Sequence, residues 1–244
     1  MKAVILAAGM ASRLRPLTDD RPKCLLKVGN RCLLQRTMDA LTAAGIREFV
    51  VVTGYRGDMI RSFLTSTYGA TDVKLQFIDN ADYQTTNNIY SLWLAATHVR
   101  GREFMLLDSD ILFDPQIIVR LLGGNATTLA LNSHELGEEE IKIVPDADGM
   151  VAEISKVCSI DDAIGESVGI EKMDAGYSAA LFDELDAMIE GEGLRNVFYE
   201  RAFERLIAKG FRFGITDTTD LFSIELDTVD DFERAKELIP DYLY

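Results

Sequence analysis

The sequence predicts an α/β protein built on a mostly parallel, mixed sheet flanked by helices. Three observations predict it. Short apolar runs rich in Val, Ile and Leu alternate with amphipathic stretches through the first half. Several of those stretches close on Gly, where a helix C-cap belongs. The chain has 244 residues, 48% of them apolar, which suits one domain with a sizeable core.

The elements follow in order. "KAVILAA" (2–8) reads as a strand buried on both faces. "LLQRTMDALTAAG" (33–45) has helical spacing, "EFVVVTG" (48–54) is a second buried strand and "GDMIRSFLTSTYG" (57–69) a second helix. "VKLQFID" (73–79) is a third strand, and "NNIYSLWLAATHV" (87–99) a helix with Asn87 as N-cap. "EFMLLDSDILFD" (103–114) is a fourth strand running into polar residues. This βαβαβαβ order demands a parallel sheet with crossover helices. Strands or hairpins are expected at 127–133, 139–146, 150–157 and 166–173, and helices near 179–189 and 197–209. "FRFGITD" and "LFSIELD" read as two further strands, and a last helix over 228–239 is capped by Thr228 with acids in its first turn. No linker or repeat interrupts the chain. We read one domain over 1–244, with a nucleotide-binding half (1–125) and an acceptor-binding half (126–244) that also carries the late acids.

Charge narrows the function. Lys plus Arg number 25 against 40 for Asp plus Glu, a net charge of −15. Such a surface argues against non-specific nucleic-acid binding and against docking on anionic membranes. Three cysteines without paired short spacing argue against a disulfide framework or a zinc site, and a cytoplasmic protein is expected. No segment is long and apolar enough to span a bilayer.

One loop inverts this balance. From Gly9 to Arg31 there are six basic residues (Arg13, Arg15, Arg21, Lys23, Lys27, Arg31) and two acidic ones. The loop leaves the carboxyl end of the first strand, where an open parallel sheet places its ligand. Positive charge over such a crevice meets phosphates, and backbone N–H groups near Gly9 add to it; a solvated charged loop is the alternative reading. Neither the Walker pattern nor the three-glycine dinucleotide fingerprint is present.

The acids have a pattern as well. Asp108 and Asp110 end one apolar strand; Glu225 and Asp227 end another, again two apart, so that each pair faces one side. A hard dication bridging phosphates takes a few carboxylates of this kind. Asp227 could instead help cap the last helix.

The stretch "LAAGMASRLRPLTDDRPKCLL" (6–26) resembles the signature loop of nucleotidyltransferases that join a nucleoside triphosphate to a phosphorylated small molecule, written L-A-A-G-x-G-x-R-[LF]-x-P-L-T followed by P-K. Ala11 stands where that pattern has Gly, a strain if the position needs positive φ. The resemblance implies a Rossmann-like, nucleotide-diphospho-sugar transferase (GT-A-like) fold. It implies Arg13 and Lys23 as catalytic cations on the triphosphate, and Leu6, Ala8, Gly9 and Asp108 at the nucleotide. It implies Mg²⁺ held by Asp110 and Asp227, with Glu225 assisting.

"NNIYSL" (87–92) replaces the Gly-rich segment of sugar-nucleotide members, and resembles the branch of bacterial CTP:phosphocholine and 2-aminoethylphosphonate cytidylyltransferases. Asn87 and Asn88 could read a pyrimidine edge through both amide donor and acceptor, or merely cap a helix. "EISKV" and "GESVGIEKM" offer Lys156 for the acceptor's phosphate and Glu166 and Glu171 for its head group; "VFYERAF" (197–203) offers Tyr199 and Glu200. Tyr83, Tyr90, Tyr177, Tyr199 and Phe222 are candidates for an aromatic cage around a trimethylammonium group. The implied reaction passes CMP from CTP to a small phosphorylated or phosphonate amino alcohol and releases pyrophosphate. A homodimer is a possible assembly. Three other readings stand beside it. One is an NDP-sugar pyrophosphorylase acting on a hexose 1-phosphate, the second a D-x-D glycosyltransferase, which would not need the basic loop. The third is a non-catalytic nucleotide-sensing homologue, which would be expected to lose Arg13, Lys23 or an acid.

Overall fold

The computed structural model describes residues 1–243. In chain order, β1 (Lys2–Ala7) is followed by the basic loop, a small hairpin of β2 (Lys27–Val28) and β3 (Arg31–Cys32), then α1 (Leu33–Ala43), β4 (Glu48–Thr53), α2 (Gly57–Tyr68) and β5 (Lys74–Asp79). Next come α3 (Asn88–Leu94), α4 (Ala96–Val99), β6 (Phe104–Asp108), β7 (Ile111–Phe113), α5 (Gln116–Gly123), β8 (Thr128–Asn132), β9 (Lys142–Pro145), β10 (Val151–Ser155) and β11 (Gly165–Met173). The chain closes with α6 (Ala175–Asp186), α7 (Glu200–Ala208), β12 (Gly214–Asp217), β13 (Ser223–Glu225) and α8 (Val229–Leu238).

The main sheet runs β10-β9-β11-β6-β1-β4-β5, with β8 on β11 and β12 on β8. β1 lies parallel to β4 and β6, and β4 parallel to β5. β11 returns antiparallel beside β6 and β8, which makes the sheet mixed. Burial explains the register. Val4 and Leu6 point into one apolar cluster and Ala3, Ile5 and Ala7 into the other, so β1 is covered on both faces by side chains that alternate with period two.

A third apolar cluster positions the site. Leu14, Leu26 and Val28 from the basic loop and its hairpin pack with Leu112, Leu226, Phe232 and Ala235. Leu14 and Val28 are fully buried, and burying such a side chain contributes about 1.5–3 kcal/mol. This packing presses the N-terminal loop against β7, about a hundred residues on, and against β13 and α8, about two hundred residues on.

The expected elements need four corrections. The strand read over 103–114 ends at Asp108, bends, and resumes as β7, which leaves the main sheet to pair with β13. An Asp-Ser-Asp run cannot continue a buried central strand without desolvating its carboxylates. The helix read over 87–99 breaks at Ala95 into two segments. The helix read from 197 begins at Glu200. α5 is not announced by spacing, because "QIIVRLLG" is a short apolar run that fits helix and strand alike.

Candidate active site

A cleft of about 1000 Å³ opens at the carboxyl ends of β1 and β6. Leu6, Ala8, Gly9, Arg13, Lys23, Asn87, Asn88, Asp108, Asp110, Lys156, Glu166, Glu200, Glu225 and Asp227 line it. The two halves of the chain therefore share one crevice.

At one end Lys23 sits between two acids. Its Nζ is 3.0 Å from Asp110 Oδ2 and 2.6 Å from Asp227 Oδ1, and its side chain is 9% exposed. Burial works against the ammonium charge, but Asp110 and Asp227 outweigh it and raise the Lys23 pKa. Arg13, on a short turn after Ala11, places Nη2 2.5 Å from Asp227 Oδ2 and keeps most of its side chain in solvent. Burial opposes the Asp227 charge, yet Lys23 and then Arg13 hold its carboxyl below the usual range. Ala11 adopts φ 47°, ψ 55°, the left-handed conformation that the Gly of the related pattern adopts freely.

Asp110, Glu225 and Asp227 each offer a carboxylate oxygen, and these oxygens lie within 4.8 Å of one another. Asp110 Oδ1 is buried without a hydrogen-bond partner. Burial, and then repulsion from Asp110 and Asp227, pushes Glu225 up to about 8. Three crowded carboxylates with an orphaned oxygen are the donor set a hard divalent cation takes, so the residues fit one. Asp108 stands apart from this cluster. It accepts a hydrogen bond from the Tyr199 hydroxyl at 3.0 Å, and burial with nearby acids raises its pKa well above the carboxylate range. The strand register expected to aim Asp108 and Asp110 together is broken by the bend between them. A bulge in β11 at Gly169, φ 76°, lets that strand approach Asp108.

The asparagines are more committed than their types suggested. Asn87 Oδ1 accepts from Asn88 N at 2.8 Å, the expected cap. Asn88 Oδ1 accepts from Tyr199 N at 2.9 Å, tying the start of α3 to the start of α7. Each amide oxygen thus accepts one bond and keeps a second lone pair, and the amide N–H groups are donors to a base. The donors can meet the ring carbonyl of either pyrimidine, and a second lone pair on an amide oxygen can receive the amino group of cytosine.

Two acceptor-site residues are corrected. Glu171 and Tyr199 are fully buried and lie behind the cleft wall. The Tyr199 hydroxyl, which donates to Asp108, also lies 3.4 Å from Glu171 Oε1, so both side chains face the interior rather than the cleft. The reason is local: β11 turns Glu171 toward α7 and Tyr199 caps that helix from inside. No aromatic cage forms among the described residues. Tyr177 is buried against Phe203 and Phe213 and Tyr90 stacks on Trp93, while Tyr83 and Phe222 reach the cleft wall.

Several lining residues went unread, and four of them carry charge or a ring beside the candidates. Phe198 faces Lys156, whose Nζ is 4.9 Å from its ring centroid. His134 Nε2 is 2.7 Å from Glu166 Oε1. Asp231 and Arg234 line the cleft from α8. Positions 227, 231, 234 and 238 follow helical spacing, a signal in "DTVDDFERAKEL" that would have identified this face.

Residues 3–205 match the family of the MobA-like NTP transferase domain. The chain belongs to that family. This NTP transferase is a nucleotidyltransferase by family, with cytidylyltransferases among its relatives. It is 28% identical over 252 residues to the CMP-5'-(3-aminopropyl)phosphonate synthase of Streptomyces rubellomurinus, covering 96% of this chain and 38% of that protein. The chain thus spans well under two thirds of the length of this curated relative. It is 34% identical over 117 residues to the mannose-1-phosphate guanyltransferase of Aspergillus oryzae, covering 47% of this chain and 31% of that protein. The CTP:phosphocholine cytidylyltransferase of Streptococcus pneumoniae has the same fold, with a TM-score of 0.79 at 23% identity over 98% of this chain and 99% of that one. Among the described residues no helix is long and apolar enough to cross a membrane.

Proposed function

We propose that this NTP transferase is a Mg²⁺-dependent cytidylyltransferase. It passes CMP from CTP to a small phosphorylated or phosphonate amino alcohol, of the phosphocholine or 2-aminoethylphosphonate kind, in the cytoplasm. The observation that carries the reading is the convergence of Arg13 and Lys23 on Asp110 and Asp227 in one cleft that also holds Asn87 and Asn88.

The acceptor's phosphate or phosphonate oxygen attacks the α-phosphorus of CTP, the bond to the bridging oxygen breaks, and pyrophosphate leaves with the electron pair. That oxygen is ionised near neutral pH, so no general base is needed. Lys23 and Arg13 exchange their carboxylate partners for phosphate oxygens and spread the charge that grows on the leaving group. Arg13, being forked and mostly exposed, suits the outer phosphates; Lys23 is a buried point charge suited to the α-phosphate. Leu6, Ala8 and Gly9 provide the wall on which the nucleoside lies, with Asp108 beside it. Asp110, Glu225 and Asp227 would hold the magnesium ion, which when bound neutralises phosphate charge and orients the reacting groups. Lys156, Glu166 and Glu200 face the acceptor end. The nucleotide is thus served mainly from residues 1–125 and the acceptor mainly from residues 126–244.

The match to a guanyltransferase that acts on mannose 1-phosphate favours a second reading, an NDP-sugar pyrophosphorylase. One panel separates them. CTP and UTP are each offered with phosphocholine, phosphoethanolamine, 2-aminoethylphosphonate and glucose 1-phosphate while pyrophosphate release is followed. Transfer from CTP to an amino acceptor is expected. Preference for UTP with the sugar would overturn the cytidylyltransferase reading.

A further inference from the structure

At the start of α7 the cleft holds a carboxylate with one oxygen left without a partner. Glu200 opens α7 and lines the cleft, yet it is only 6% exposed. Its Oε2 is buried and has no hydrogen-bond partner. A buried acceptor oxygen left without a donor bears its full desolvation cost. Nearby, Glu135, Glu139, Glu140 and Glu166 line the same cleft, against Lys156 and His134. Both of those side chains are already engaged. Lys156 Nζ is 3.2 Å from Glu139 Oε2, and His134 is hydrogen-bonded to Glu166.

The rings are poorly arranged for one class of head group. A trimethylammonium ion has no N–H and is held by open aromatic faces. The Phe198 face is taken by the Lys156 ammonium. Phe222 packs with the cluster around Leu14, and Tyr83 abuts Gly54 at the end of β4, beside Ala8. A primary ammonium group instead brings three N–H donors, which is what the unpartnered oxygen lacks.

We propose that Glu200 is the receptor for a primary ammonium group at the far end of the phosphorylated acceptor, and that it selects this group over its trimethylated analogue. The inference rests on the nucleotidyl-transfer reading and names the substrate class of that site. Burial raises Glu200 to about 7, against a backbone N–H bond and Lys156 that lower it, while Glu204 raises it; an ammonium neighbour would return it to the ionised form.

The test compares acceptors matched except at nitrogen, with CTP and Mg²⁺. These are phosphoethanolamine against phosphocholine, and 2-aminoethylphosphonate with its mono-, di- and trimethylated forms. For the unaltered enzyme, kcat/KM is expected to fall at each methylation, by about tenfold or more over the series. In Glu200→Gln the preference is expected to collapse through the acceptor KM, with the KM for CTP kept. Equal or better transfer to the trimethylated acceptors, or a preference that survives in Glu200→Gln, would overturn the receptor. The methylation series decides the matter on the unaltered enzyme if the variant does not fold. CMP transfer preferentially to phosphocholine leaves the cytidylyltransferase reading intact and removes only the receptor. Transfer to no amino acceptor removes both.

Discussion

Lys23 Nζ lies 2.6 Å from Asp227 Oδ1, although 204 positions separate the two residues. The third apolar cluster makes this contact, since Leu14 and Leu26 from the loop pack with Leu226 and Phe232 on either side of Asp227. Lys23→Met is expected to leave Asp110 without a cation and Asp227 with Arg13 alone. Breaking such a pair costs roughly 1–3 kcal/mol for carboxylates that keep partial access to water. Chemical denaturation of the variant measures the loss. Arg13→Ala, at an exposed position, is expected to spare stability and cut kcat by about 10²–10³-fold; unchanged turnover would exclude Arg13 from the reaction.

Cation binding has its own signature. Mg²⁺ is expected to raise the thermal midpoint of the protein, since a ligand that binds only the folded state adds about 2.7 kcal/mol at a hundred times its Kd. Asp227→Asn is expected to abolish the rise, and chelation to stop turnover. A shift that persists undiminished in Asp227→Asn would place the ion elsewhere.

Glu200 sets a pH dependence. Its folded pKa, about 7, lies above the ordinary 4.5. Between those values the folded form keeps a proton that the unfolded chain has released. Stability therefore falls as pH rises through this window, by up to roughly 3 kcal/mol. Lys156 lowers the Glu200 pKa and Glu204 raises it, and the buried Asp108, Glu171 and Tyr199 lie close enough to feel its charge. Glu200→Gln cannot titrate and is expected to flatten this part of the profile, as read by denaturation at several pH values. An unchanged slope would show that Glu200 is ionised throughout.

Ala11 holds the left-handed conformation at the turn that presents Arg13. An L-residue there is strained by roughly 1–2 kcal/mol, and Gly gives part of that back as unfolded-chain entropy. Ala11→Gly is expected to stabilise the protein by up to about 1 kcal/mol. A lower thermal midpoint would contradict the strain.

What was legible in the sequence was local and contiguous. The loop from Leu6 to Leu26 could be read whole, because its cations follow directly on the buried strand that aims them. Thr228 was legible as a cap, and Asp231 completes the capping box. What failed depended on distant partners. Glu171 and Tyr199 looked available until β11 and α7 faced each other and buried both. Asn88 looked free to read a base until the Tyr199 backbone engaged one lone pair of its oxygen. Arg234 was missed because its place on the cleft depends on which face α8 turns inward, although the spacing from Asp227 carries that information.

The most direct test of the shared polyphosphate site is a crystal structure with Mg²⁺ and a CTP analogue whose α,β-bridge is methylene. The expected result places the triphosphate between Arg13 and Lys23 on one side and the ion held by Asp110 and Asp227 on the other. A nucleotide bound outside this cleft, with Lys23 still paired to both acids, would contradict it.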